Sequence, residues 1–511
     1  MPRNFPTAGL RFISRLLAVL PLWFGIACQR PSVPADTAVV VVESRPRNLE
    51  PYLAGDAVGQ KIGNLIHAGL FEIGKDMKPS PGLAESVAIE NQRRFHFKLR
   101  PGLFFHDGTP LRASDVVRSI EEFRQKSPHA VVFDPVQRVY HRGDHDLFIE
   151  TRAAQPFLLY DLPAVKVFKR VNGAVVGAGQ FRLVELTASG ALLERVESKM
   201  SEDQGGNLKK IKFLFVQDEL TRYQLLVRGD ANVAINSLGL IKTHHLQAHL
   251  KGELQLRKSE GVSFGYLCFN FKNPKLADLK VRQAIAHSID VQTILTHRMH
   301  GYAKPATGIL SSAHREYYQP AVEAYPYDPA LAERLLDEAG FPRPSPGAKR
   351  FALNFKTTSE RAGYDMAKVL SEYLRQVGID VRLQVVETGT FFSEIKAGNF
   401  DLFQARWVGV TNPSIYARVF HSSQSRGGLN RGAYSNKAMD DLLDKAMSEP
   451  DDRKRRNLFS EVQKLAAIEL PYVSLWHWNT VFIGHKKFEN VKLYPTGSFH
   501  TLAEIEVQDR L

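Results

Sequence analysis

The residues that could do chemistry are few, and none is complete. His244, His245 and His249 bring three imidazoles close together in sequence, but no glutamate completes the His-Glu-x-x-His pattern of a zinc enzyme. They read as an exposed helix face. His106 beside Asp107 offers an acid–base pair, yet no nucleophile motif lies nearby, and His106-Asp107-Gly108-Thr109 reads as a turn with glycine at the position needing unusual dihedrals. No G-x-S-x-G and no Ser/Lys signature occurs. Cys28 and Cys268 are the only cysteines, so the fold does not lean on disulfides. The sequence predicts neither an enzyme nor a metal or cofactor site.

Charge gives no alternative partner. The net charge is +13, but the cations are scattered among acids. The tightest run, Arg453 to Arg456 after Asp451 and Asp452, reads as a solvated helix face behind an acidic cap. No nucleic-acid-binding signature accompanies it.

The first thirty residues read as an address. Arg3, Arg11 and Arg15 precede an apolar run over 16–27, too short for a bilayer, which needs about 20 residues. This is the pattern of a secretory signal. Gly25-Ile26-Ala27-Cys28 resembles a bacterial lipobox with Gly25 where leucine is usual, so Cys28 is the expected lipidation site; a cut after Ala35 is the rival. Gln29 follows the cysteine, a pattern that resembles outer-membrane sorting. Residues 28–36 read as a tether.

Beyond that, strands and helices alternate. A β-branched run at 37–43 reads as a buried strand, as do 95–99, 181–184, 192–196, 211–216, 233–235, 264–271, 351–356, 381–386 and 400–405. Apolar spacing predicts helices at 65–73, 220–227, 278–289, 330–339, 364–376, 391–396, 439–447 and 453–469, and separate strands at 473–476 and 481–484. This order suggests an α/β fold built on parallel sheets with crossover helices.

Several segments together resemble one family over about residues 38–500. Leu49-Glu50-Pro51, Gly69-Leu70-Phe71, the stretch from Pro79 to Ser86, the run from Leu99 to Leu111, Gly177-Ala178-Gly179-Gln180-Phe181, Val281-Arg282-Gln283-Ala284-Ile285 and Tyr327-Asp328-Pro329 occur in that family's order. The chain is similar to the extracytoplasmic solute-binding proteins of family 5, the peptide- and nickel-binding components of ABC importers. The resemblance implies a two-lobed periplasmic-binding-protein fold of class II, the large peptide-binding type, with an extra subdomain in the first lobe. It implies lobe I from 37–70, 179–262 and 482–511, the extra subdomain from 71–178, and lobe II from 263–481, with residues 1–27 as signal and 28–36 as anchor. The chain should cross between lobes near 261–264 and 479–482. The implied protein is a monomer in the periplasm or cell envelope, held to a membrane through Cys28. It would deliver a peptide or peptide-like solute to permease subunits. A ligand-sensing lipoprotein and a nickel or haem binder are the alternatives.

The resemblance also points to a pocket. Arg406-Trp407-Val408-Gly409-Val410-Thr411-Asn412-Pro413 is similar to the family's cleft loop, in which a tryptophan can cover a ligand side chain. Peptide-binding relatives carry an aspartate three residues after that tryptophan to pair with the ligand's α-ammonium. Val410 stands there, and Asn412 stands where an acid is expected. A buried ammonium without a carboxylate is costly, so an ordinary free peptide N-terminus is not the expected partner, whereas Arg406 suits an anion. Tyr416, Asn430 and Tyr434 complete the expected ligand-binding set.

Overall fold

The computed structural model describes residues 34–53, 56–197, 205–248 and 253–508. The signal, Cys28 and His249 lie outside the described residues.

One mixed sheet of eleven strands runs through the molecule. At one end, Thr37–Val42 lies parallel to Lys210–Phe215 and to Val233–Ile235. All six residues of Thr37–Val42 are buried, as a Val-rich strand covered on both faces requires. At the other end, Phe351–Thr358 lies parallel to Ile379–Val386 and to Leu402–Trp407. Arg361–Gln376 and Thr388–Ala397 supply the crossover helices there.

Two long antiparallel strands, Leu254–Phe269 and Tyr472–His485, join the ends. Their ladder breaks between Ser259 and Ser263: Ser259 faces Thr480, Ser263 faces Trp478, and Glu260, Gly261 and Val262 bulge against Asn479. The Pro495 carbonyl accepts from Val262 N at 3.3 Å and from Thr480 Oγ1 at 3.1 Å, tying both strands at the bulge. The Glu260 carboxylate accepts from Lys304 Nζ and Ser312 Oγ.

Separate cores flank this crossing. Val40, Ile62, Phe213 and Phe482 belong to the first end, Leu267, Ile285, Phe355 and Trp476 to one face of the second, and Phe264, Phe403, Tyr416 and Phe459 to its other face. A fourth core, with Phe95, Phe97, Ile120 and Leu147, sits inside a four-stranded antiparallel sheet covered by helix Ala113–Lys126. The architecture is therefore two α/β lobes with an extra subdomain in the first.

Three expectations change. The helix expected at 65–73 is Ala57–Ile66, followed by strand Phe71–Ile73, because Asp56 caps the earlier start by accepting from Gly59 N at 2.7 Å. The segments at 473–476 and 481–484 are one strand of 14 residues. The strand expected at 264–271 begins ten residues earlier, at Leu254. Arg257, Lys258 and Ser259 hide that start from a hydrophobicity reading, since ladder pairing rather than burial holds them.

Candidate functional site

The register fixes where the lobes face each other. Ile235 pairs with Phe482 and Val233 with Gly484, so this strand's carboxyl end points at the bulged crossing. From the other lobe, Leu402 pairs with Phe269 and Trp407 with Phe264, so that carboxyl end points at the same crossing. Carboxyl ends of parallel strands leave backbone loops free to line a groove, the usual place for ligands in α/β sheets.

In the lobe I wall, Glu43 follows strand Thr37–Val42, and Asn236 follows Val233–Ile235. Asn236 adopts φ 53° and its Oδ1 accepts from Val481 N at 2.8 Å, joining the wall to the crossing. Gly497 approaches so closely that a Cβ there would lie 2.6 Å from Asn236 Nδ2. Helix Ala57–Ile66 buries Val58, Ile62, Leu65 and Ile66 and carries half-buried Lys61 between them. Lys61 Nζ stands 5.4 Å from the Phe499 ring centroid. Burial lowers the Lys61 pKa, the Glu43 carboxylate opposes that shift, and the Arg406 charge adds to it.

The lobe II wall is built around Trp478. Arg406 pairs with Gly265, and a Cβ on Gly265 would lie 3.0 Å from the Trp478 ring, so only glycine lets the indole cross the strand. The Arg406 guanidinium carbon lies 5.0 Å from that ring's centroid, a cation–π contact. Arg406 is exposed, yet surrounding protein lowers its pKa, with Glu43 opposing. Trp407, the next residue, points to the opposite face of the sheet. It stacks on Tyr266 at 5.8 Å and 9°, and its indole N–H is buried.

Residues 78–427 match the model of the bacterial extracellular solute-binding proteins, family 5. The chain belongs to this family. It is 27% identical over 492 residues to the glutathione-binding protein GsiB of Salmonella paratyphi A, covering 90% of this chain and 92% of that one. To GsiB of Escherichia coli K12 it is 26% identical over 474 residues, covering 86% and 89%. Among solved structures, NikA from Brucella suis in complex with Fe(III)-EDTA superposes with a TM-score of 0.82 at 20% identity, over 92% of this chain and all of that one. The oligopeptide-binding protein AppA from Bacillus subtilis, in complex with a nonapeptide, gives 0.76 at 22%, over 93% and 99%. The fold is the two-lobed, class II periplasmic-binding type of these proteins.

Within this family-5 chain, the other residues singled out from sequence sit inside lobe II. Tyr416 is 1% exposed and its hydroxyl accepts from Ile309 N at 3.1 Å. Asn412 Oδ1 accepts from Ser414 N at 2.9 Å. Asn430 is buried; its Nδ2 donates to the Tyr434 and His421 carbonyls at 2.7 and 3.2 Å, and its Oδ1 accepts from Tyr434 N at 3.0 Å. Tyr434 packs between Phe271 and Phe420. Val410 is buried, and its carbonyl accepts from His314 Nε2 at 2.9 Å. The structure thus sets Arg406 against Trp478 on one side of the crossing and Lys61 and Asn236 beside Gly497 on the other, three residues that the sequence reading missed. Their only signals are local: a lone lysine in the apolar helix Ala57–Ile66, and the aromatic run Trp476-His477-Trp478.

The residues considered for catalysis are placed apart. His106 Nε2 meets the Gly179 carbonyl at 2.9 Å, while Asp107 pairs with Lys169 at 2.6 Å, so each of the two neighbours bonds elsewhere. That lysine holds the Asp107 pKa down to about 2. His244 stacks on His300, and His245 meets the Tyr223 hydroxyl. In the basic run, Asp451 caps helix Asp452–Glu469 through Lys454 N. The solvated-face expectation fails at Arg455, which is 4% exposed and donates to the Glu449 carbonyl at 2.8 Å, because its stem turns back beneath the helix start. Among the described residues, no helix is long and apolar enough to cross a membrane.

Proposed function

We propose that this chain is the substrate-binding component of an ABC importer, capturing a peptide or peptide-like solute in the groove between its lobes. The observation that carries the reading is the convergence of strand carboxyl ends from both lobes on a bulged two-strand crossing. Two strands interrupted by three unpaired residues bend more readily than a continuous sheet, and closure about such a hinge traps a ligand. Lobe boundaries at 262–263 and 481–482, as expected from the sequence, would lie in this crossing. GsiB is named for glutathione, and AppA was solved with a nonapeptide; both ligands are peptides with free carboxylates. Arg406 would anchor the solute from the groove face of this strand end, with Trp407, Asn412, Tyr416, Asn430 and Tyr434 stiffening the strand end and loop behind it.

Export and anchoring fit the same reading. The basic start, the short apolar run and Gly25-Ile26-Ala27-Cys28 support cleavage and lipidation at Cys28, leaving the lobes outside the cytoplasm to meet the permease. Radiolabelled palmitate should enter the wild-type chain and not Cys28→Ala.

Native mass spectrometry of the purified chain should release a small peptide-like molecule. Small-angle scattering should show contraction when that molecule is returned. A solute-free chain that neither binds nor contracts with any peptide fraction would refute the reading.

A further inference from the structure

We propose that Lys272, Lys396 and Arg431 form a phosphate-binding pocket on lobe II, at the end of its strands away from the groove. The ligand is a phosphate group, either free in solution or carried by a phospholipid headgroup. The site is separate from the solute-binding groove and does not rest on that reading.

Three segments build the pocket. Strands Leu254–Phe269 and Leu402–Trp407 pair with Phe264 opposite Trp407 next to the crossing and Phe269 opposite Leu402 at the far end. Lys272 follows that far end, Lys396 lies in the last turn of helix Thr388–Ala397, and Arg431 comes from the loop before helix Lys437–Ser448. Buried Asn270 knits the first two segments, because its Nδ2 donates to the Gly398 and Phe400 carbonyls at 3.0 and 2.7 Å. Phe271 N donates to the Gly432 carbonyl at 2.8 Å and ties in the third. Between them lies an open pocket with about 320 Å³ of empty space, part of it continuous with solvent, and all three cations line it.

The lining carries cations and no acid. Among the described residues, no Asp or Glu lines the pocket, and none of the three cationic side chains takes part in a hydrogen bond or ion pair. Cations near a helix C-terminus offset its dipole, and Lys272 Nζ would lie 3.9 Å from a Cβ on Gly398 at the helix end. That effect covers the two lysines but not Arg431, which enters from another segment. Nor do the lysines cap the helix: Gly398 N closes on the Ile395 carbonyl, and Asn270 takes the Gly398 carbonyl. Like charges around one pocket repel, and an anion among them makes the arrangement favourable. Phosphate oxygens point several ways from one centre, so donors from three segments can reach them together, whereas a carboxylate has two oxygens in one plane. The arginine fork and the lysine point charges both suit phosphate, and Ser425, also in the lining, adds a hydroxyl donor.

The test is calorimetric titration with sodium phosphate beside co-sedimentation with lipid vesicles. Both use the full chain carrying Cys28→Ala, so that no acyl chain contributes. Binding of inorganic phosphate assigns the free anion. Capture by phosphatidylglycerol vesicles but not by phosphatidylcholine vesicles assigns the headgroup. In whichever assay reports binding, Lys272→Met, Lys396→Met and Arg431→Met should each weaken it about tenfold. Lys212→Met, an exposed cation on a lobe I strand, should leave it unchanged. Lys272 and Lys396 are exposed, so their variants decide the matter even where thermal unfolding shows Arg431→Met to be unfolded. Binding of neither probe, equal capture by both vesicle types without phosphate binding, undiminished binding in both lysine variants, or an equal loss in Lys212→Met would overturn the pocket.

Discussion

Phe157 of the extra subdomain packs edge-on against Phe459 of lobe II, with ring centroids 5.7 Å apart at 76°. Tyr317 joins the pair at 6.2 Å, and the Arg455 guanidinium carbon stands 5.6 Å from the Phe157 ring. Nearby, Lys78 pairs with Glu316 at 2.9 Å, and Met77 packs with Val262 of the bulge and Ala313. The subdomain is therefore docked on lobe II, beside the crossing that links the lobes.

Removing that aromatic plug should loosen the docking. Phe157 is 4% exposed, and truncating a buried phenylalanine costs about 3 kcal/mol or more. Phe157→Ala should enlarge the radius of gyration of the ligand-free chain in small-angle scattering and weaken solute binding. An unchanged radius with unchanged affinity would show that the docking does not govern lobe closure.

The same interface should weaken as pH rises. Burial raises the Asp161 pKa from its ordinary value to about 7, with the Arg418 charge of lobe II opposing the shift. A carboxyl whose folded pKa is raised contributes stability that is complete below its unfolded pKa near 3.8 and lost as pH climbs through about 7. Stability measured by chemical denaturation should therefore lose a component between about pH 4 and 7, and Asp161→Asn should abolish that component. A variant with the same pH profile as the wild type would exclude Asp161 as its source.

Acid should act through two histidines with the opposite sign. Burial lowers His67 to about 3 and His477 to about 4. For a group with a depressed folded pKa, stability is complete above the unfolded value near 6.5 and lost as pH falls below it. At pH 5 each histidine should cost about 2 kcal/mol. Calorimetric melting should fall from pH 7 to pH 5, and His477→Gln should flatten part of that fall; an identical slope in the variant would contradict the assignment.

Gly261 tests the crossing itself. A Cβ at this position would lie 2.2 Å from the Trp478 carbonyl oxygen, so Gly261→Ala must displace one strand from the other. The expected loss is about 1–3 kcal/mol in stability, together with altered lobe closure by scattering. Wild-type melting and closure in this variant would mean that the bulge tolerates a side chain.

Much of the fold was legible because its signals are local. The Val-rich run at 37–42, the period of the helix at 452–469 and the glycine after 329–338 each report nearest-neighbour chemistry. The long crossing strands were read in fragments because Lys258, Glu260 and Asn479 are polar where the strands leave both cores. Arg406 was singled out through its neighbour Trp407, but the ring it packs on is Trp478, some seventy positions later.

The sequence by itself determined the family, the two-lobed class, the export-like start and the loss of an acid at Val410, since these follow from residue type and order. Only the tertiary structure decided which segments face the crossing. Glu43, Lys61, Asn236 and Arg406 come from four separate segments, and no spacing links them. Strand register and a three-residue bulge aim the carboxyl ends of the strands that precede Glu43 and Asn236, and of the strand that carries Arg406, at one crossing. That is long-range pairing, which local patterns do not encode.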